Sequence, residues 1–280
     1  MSAIHALQPA YAMAAFLVGV LVGLTGVGGG SLMTPILILL FGINPATAVG
    51  TDLLHAAATK TAGSLVHGRN RTIEWRVVRR LATGSIPTTI LTIAALSAID
   101  INGPLAHSLI NAVLALALVV TAITLVFRNR MAARFAHHLG SLADQQIATI
   151  TVIVGAAIGM LVSISSVGAG AIGVTALVLL YPQLPAARIV GSDIAHAVPL
   201  TLAAGIGHWF LGSIDFAVFT SLILGSVPGI LVGSYAALRV PDRALRLVLA
   251  VTLLAVAAKL SFGLAQPPSD IVAVKAGTPH

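Results

Sequence analysis

The sequence predicts an all-α, polytopic membrane protein of two inverted repeats, each a glycine-broken helical hairpin followed by three transmembrane helices. Three observations predict it. The first is composition: 58% of the 280 residues are hydrophobic and 8% are charged, with a mean hydropathy of +1.02, whereas soluble chains carry roughly 25% charged residues. The second is the recurrence of apolar runs about 20 residues long, each sufficient to cross a hydrocarbon core of about 30 Å at 1.5 Å per residue. The third is an internal repeat.

In that repeat Val27-Gly28-Gly29-Gly30 returns as Val167-Gly168-Ala169-Gly170. Gly50-Thr51-Asp52-Leu53-Leu54-His55-Ala56 returns as Gly191-Ser192-Asp193-Ile194-Ala195-His196-Ala197. Downstream, His67 pairs with His208, Ile73-Glu74-Trp75 with Ile214-Asp215-Phe216, and Pro87 with Pro228, in one register after a single-residue insertion near Ala46. The first repeat takes 1–127, with a broken stretch at 10–41 and spans at 46–66, 77–99 and 105–127. A cytoplasmic linker at 128–146 precedes the second repeat at 147–263, with its broken stretch at 147–181 and spans at 189–210, 216–238 and 245–262; a polar tail at 264–280 follows. Pro45, Pro104, Pro185 and Pro241 fall in connecting turns, where a missing N–H is tolerated.

The broken stretches decide the topology. As a straight helix, residues 10–41 would run about 48 Å, too long for one crossing and short for two. Two half-helices meeting at a glycine tip fit better, enclosed by protein as irregular backbone at membrane depth must be. A re-entrant hairpin plus three crossings is an odd number, so the halves should be inverted. Arginine placement agrees. Arg69, Arg71, Arg76, Arg79 and Arg80 flank the second turn of the first half, and Arg239, Arg243 and Arg246 the third turn of the second half. Inversion puts these on the cytoplasmic face with Arg128, Arg130, Arg134 and Arg188, and both termini outside; a parallel duplication would strand four of them.

Other classes are excluded more briefly. With no cysteine, disulfides and thiolate metal sites are ruled out. Met1 to Pro9 has no Lys or Arg, so the start lacks the basic region of a cleaved signal peptide and is expected to be retained. The net charge of +7 comes from arginines beside apolar runs, which membrane orientation explains better than nucleic acid. No His-Glu-x-x-His or carboxylate-rich cluster marks a metal site, and no cofactor is expected.

The sharpest chemical feature is Thr25-Gly26-Val27-Gly28-Gly29-Gly30-Ser31, a glycine loop opening an apolar half-helix with Ser31 at the cap. A helix start at membrane depth presents unsatisfied N–H donors and the positive end of the macrodipole, which suits an oxyanion. The second copy, Ser165-Ser166-Val167-Gly168-Ala169-Gly170, repeats the design, and in an inverted pair the tips can meet near the midplane. Close helix packing by small residues is the plainer reading, but does not explain why both runs break at the same place. Anion-contact candidates are Gly28, Gly29, Gly30, Ser31, Thr51, Lys60, Val167, Gly168, Ala169, Gly170 and Ser192.

Asp52 and His55 lie three residues apart on one helix face, repeated by Asp193 and His196. Ionisable groups at this depth are costly and default to functional suspects. They could carry a coupled proton, hold a hairpin end by hydrogen bonds, or touch substrate, the last opposed by a carboxylate's repulsion of an anion. Lys60, whose counterpart is Thr201, either attracts an anion or pairs with Asp52 or a carbonyl. His67 and His208 fall near span ends, where solvated histidines are common, and Trp75 and Trp209 read as interfacial anchors.

On these residues the chain resembles the TauE/SafE family of sulfite and organosulfonate exporters. The resemblance lies in Gly23-Leu24-Thr25-Gly26-Val27-Gly28-Gly29-Gly30-Ser31-Leu32-Met33-Thr34-Pro35, in Ala48-Val49-Gly50-Thr51-Asp52, and in the degenerate second copy, covering about 10–262. It implies transport of a sulfur-containing anion such as sulfite, sulfoacetate, thiosulfate or a related small carboxylate or sulfonate; with the inverted repeats, the expectation is a secondary transporter in the cell inner membrane, exporting by alternating access. Ala169 and Ala171 stand where the first copy has Gly29 and Ser31, so one hairpin should bind less tightly. The expected partners are the anion and the bilayer, with a homo-oligomer left open. Two rivals remain: an anion channel, and an intramembrane enzyme using Asp52 and Asp193, against which stands the absence of a catalytic aspartyl motif or nucleophile elbow.

Overall fold

The computed structural model describes residues 9–25, 30–139, 143–236 and 242–265. Ten helices fill these segments: α1 (Pro9–Thr25), α2 (Gly30–Leu39), α3 (Pro45–Arg69), α4 (Trp75–Ser97), α5 (Pro104–Leu139), α6 (Asp144–Ser165), α7 (Ala171–Leu180), α8 (Ala186–Phe210), α9 (Phe216–Ala236) and α10 (Asp242–Ala265). No strand occurs among the described residues. The helices begin where local chemistry favours it. The side-chain Oδ1 of Asn44 accepts the Ala46 N–H at 2.9 Å with Pro45 next to it, and Pro104 opens α5, both positions where the missing proline N–H costs nothing.

Two spans depart from the expected bounds. Helix α5 runs on to Leu139, through the first part of the stretch read as a linker. After Pro104 no glycine or proline occurs until Gly140, so nothing in the backbone stops the helix. The arms of the broken stretches are also unequal: 17 and 22 residues for α1 and α6, but 10 each for α2 and α7. The breaks therefore lie a little past the middle of each run. Within each pair the arms pack mostly on other helices: α1 on α9, α6 on α4, and α7 on α5 and α8.

These contacts repeat between the halves. The pairing of α1 with α9 matches that of α6 with α4, and the equivalent helices α3 and α8, and α5 and α10, pack on each other. Small residues permit the closest approaches. An added methyl at Gly225 would fall on the carbonyl oxygen of Ala12, and one at the equivalent Gly84 on that of Val152. Gly19 and Gly159 press in the same way on the backbones of Ser226 and Ser85.

Polar groups repeat as well. Thr51 Oγ1 accepts the N–H of Asp215 at 3.0 Å, and Ser192 Oγ that of Glu74 at 2.8 Å, so each half uses a hydroxyl to satisfy a backbone donor at a helix start of the other. His55 Nε2 shares a 2.8 Å hydrogen bond with Ser226 Oγ, and His196 Nε2 one of the same length with Ser85 Oγ.

Outside this interior the surface is apolar. Met13, Leu40, Ile90, Leu91, Met160 and Leu231 are exposed, as is Phe210 at 87%. A water-facing protein rarely exposes such a belt. Four helices have the length and composition to cross a bilayer unaided: the first 25 residues of α5, all of α6 and α8, and residues 216–233 of α9. Trp75 and Trp209 are exposed, at the first residue of α4 and next to last of α8, as interfacial anchors require. The arginines that set the charge bias make ion pairs of their own. Arg80 donates to Asp144 at 2.6 Å and to the Tyr181 hydroxyl at 3.2 Å, and Arg188 donates to Glu74 at 3.2 Å.

Replacing Gly225 with leucine forces a side chain onto the α1 backbone. Thermal unfolding in detergent should show a loss of about 1–3 kcal/mol, against less than about 0.5 kcal/mol for Leu91→Ala on the exposed belt.

Candidate functional site

Helices α3 and α8 lie side by side and carry the duplicated Asp and His residues inward. Asp52 has no exposed surface. Its Oδ2 accepts two hydroxyl hydrogen bonds, from Thr34 on α2 at 2.6 Å and from Ser166 at the end of α6 at 2.9 Å. His55 Nδ1 lies 3.4 Å from its other oxygen. One carboxylate of α3 thus ties together both broken stretches.

The second tip is fully described, and its backbone explains its shape. Ser166 is left-handed at φ 59°, ending α6 by donating its N–H to Val162, and Gly168 and Gly170 have φ of 126° and 131°. Only glycine adopts the last two without strain. The Ser165 hydroxyl donates to the Leu161 carbonyl at 2.7 Å and accepts the Val167 N–H at 3.2 Å, pinning the reversal. Of the first tip, Gly26 to Gly29 lie outside the described residues, which include the candidates Gly28 and Gly29; α2 begins at Gly30 and Ser31 is buried.

Lys60 closes the arrangement from α3. Its ammonium donates to the Ala169 carbonyl at 3.2 Å, and Asp193 and Asp52 are both near enough to act on its charge. Asp193 is 2% exposed, pressed against the Cα of Gly173 on α7. The site is thus a junction of two buried carboxylates and one half-buried cation beside the second broken stretch. No group of three or more His, Asp or Glu able to hold a metal occurs among the described residues.

The structure joins Asp52 and His55 to the second tip through Ser166 and half-buried Lys60 to it through Ala169, with Val167, Gly168 and Gly170 in the same tip, Asp193 against α7 and His196 one turn further along α8; Ser31 is buried at the start of α2. It separates Thr51 and Ser192, whose hydroxyls point to the turns before α9 and α4. His208 is not solvated as its place near a span end suggested. It is buried against Gly50, and its Nε2 bonds to the Ser163 carbonyl at 2.9 Å. The sequence reading missed Thr34, Ser85 and Ser226. A usable signal existed for the two serines, since Gly84-Ser85-Ile86-Pro87 returns as Gly225-Ser226-Val227-Pro228; Thr34 has no such mark, because its counterpart is Val174.

The family profile described as "Sulfite exporter TauE/SafE" matches residues 11–260. The chain belongs to the TauE/SafE family. It is a multi-pass membrane protein of a transporter family. A protein named "Probable membrane transporter protein YjnA" from Bacillus subtilis (strain 168) is 38% identical over 244 residues, covering 87% of this chain and 95% of that protein. "Probable membrane transporter protein YdhB" from the same organism is 27% identical, over 78% of this chain and 86% of its own. No solved structure matches the chain. The TauE/SafE profile spans both halves, so the junction at Asp52 lies wholly inside the family domain.

Thr34→Val and Ser166→Ala each remove a hydroxyl from the same carboxylate oxygen. Each should cost about 1.5–3 kcal/mol in thermal unfolding. The pair should be non-additive by at least about 0.5 kcal/mol, which a double-mutant cycle measures.

Proposed function

We propose that this TauE/SafE protein is a secondary transporter that exports a small sulfur-containing anion, such as sulfite, sulfoacetate or a related sulfonate, without converting it chemically. The observation that carries the proposal is the Lys60 ammonium held at the carbonyl of Ala169 on the second tip, with the start of α7 beside it. A cation beside a buried helix start favours an anion twice over, by its charge and by the macrodipole and free N–H groups of the first turn. The choice among sulfite, sulfonates and carboxylates is one of shape, because all present oxygens to such donors.

Alternating access follows from the duplication. Each half supplies one broken stretch and one central helix, and the halves meet through small residues and matched hydroxyl contacts. Small residues at an interface let packed helices slide at low cost. In the inverted arrangement read from the arginine bias, rocking one half against the other opens the junction to each side in turn. Asp52 then acts as scaffold, binding the two broken stretches to α3 while the lysine holds the cargo.

The test is flux in proteoliposomes with labelled sulfite, competed by sulfoacetate and by simple carboxylates, at imposed proton gradients of both signs. Flux should saturate, be competed by sulfoacetate and return the label chemically unchanged; non-saturating flux would mean a channel. Lys60→Met should lower flux at least about tenfold, equivalent to about 1.4 kcal/mol of lost anion stabilisation, in protein that still inserts.

A further inference from the structure

The two buried aspartates are equivalent in sequence but not in surroundings. Asp52 accepts hydroxyl bonds from Thr34 and Ser166 and has His55 Nδ1 near its other oxygen. In the register that aligns Val27 with Val167, the residues that would serve Asp193 are Val174 in place of Thr34 and Gly26 in place of Ser166. Neither carries a hydroxyl. Among the described residues Asp193 Oδ1 has no hydrogen-bond partner, and neither does Nδ1 of His196, one turn further along the same face.

The charged and titratable groups around Asp193 are few. From α3 the charge that acts on it is that of Lys60, on which Asp52 also acts. Helix α7 carries no titratable residue, and α6 only Asp144 in its first turn, paired with Arg80 and Arg76. From α4 the contact is the Ser85 hydroxyl on His196, while Arg76, Arg79 and Arg80 lie in that helix's first two turns. On α8 itself, Arg188 is paired with Glu74 and His208 with a carbonyl.

We propose that Asp193, and not Asp52, is the proton-binding carboxylate of this transporter, and that its protonation is what frees Lys60 to hold the anion. The inference rests on the transport reading above and adds the coupling ion and its site. A buried carboxylate without donors is far costlier than the corresponding acid, whereas one that accepts two hydroxyl bonds is stabilised in its ionised form. With Asp193 ionised, its charge competes for the single ammonium. When a proton from water adds to Oδ1, forming an O–H bond, that competition ends and the cation can serve an incoming sulfonate. Proton and anion then load together and leave together, so export runs down the anion's own gradient and an inward proton gradient opposes it. By linkage, each must tighten the binding of the other.

Infrared spectroscopy of the full chain in liposomes reads the proton directly, with or without an anion. Between about pH 9 and about pH 5, a deuterium-sensitive carboxylic-acid C=O band should appear, grow at fixed pH when sulfoacetate is added, and vanish in Asp193→Asn. Val174→Thr, which leaves the carboxylate in place and supplies the hydroxyl its counterpart enjoys, should move the band at least one pH unit toward acid. Absence of the band, or its survival in Asp193→Asn, overturns the proposal, as does a Val174→Thr titration identical to that of the wild type. Counterflow of labelled sulfite and sulfoacetate tests the reading beneath. A band that titrates and is lost in Asp193→Asn, in protein that moves neither anion, keeps the proton site and removes the transport of sulfur anions.

Discussion

One carboxylate, that of Asp52, joins the parts of the molecule that could otherwise separate. In hydrocarbon, an ionised side chain persists only if its lone pairs are met, and no water is present to meet them. Asp52 takes its donors from α2 and from the tip beyond α6. The requirement to satisfy a buried carboxyl group on α3 therefore ties together α2 and the tip beyond α6. The tip geometry, the placement of Lys60 and the enclosure of the junction all follow from that meeting.

The duplication supplies a second set of constraints. The same reciprocal contacts occur twice: a hydroxyl on a helix start, a histidine on a serine, a glycine against a carbonyl. Each contact lies across the interface between halves, so each half is incomplete alone. Such an interface holds by close van der Waals approach and a few satisfied polar groups, since lipid offers helices no hydrophobic drive to associate. It can be repacked without exposing a core to water, which is what a moving carrier needs.

Where the copies have diverged, chemistry has been divided between them. Thr34 and Ser166 donate to Asp52, whereas valine and glycine stand at the corresponding places of the other copy's sequence, and the counterpart of Lys60 is a threonine. A pair of identical sites would bind two charges with equal strength. The unequal pair gives one carboxylate two hydroxyl donors and leaves the other with an oxygen that has no partner among the described residues.

Composition and periodicity were enough to determine that the chain lives in a bilayer, because no aqueous fold tolerates so few charges and so many apolar runs. The repeat was legible for an equally physical reason: backbone-breaking glycines and buried Asp and His residues are too costly in lipid to recur in register without a structural role. What the sequence could not determine was which side chain meets which. Thr34 and Ser166 are ordinary residues until α2 and the second tip fall on either side of Asp52, and Thr51 and Ser192 look like ligands until their hydroxyls are found on distant backbone donors. The length of α5 and the unequal arms of the broken stretches were hidden likewise, since local propensity alone does not say where a helix stops. Partners across an interface are set by three-dimensional packing, and a linear pattern records only which groups must find one.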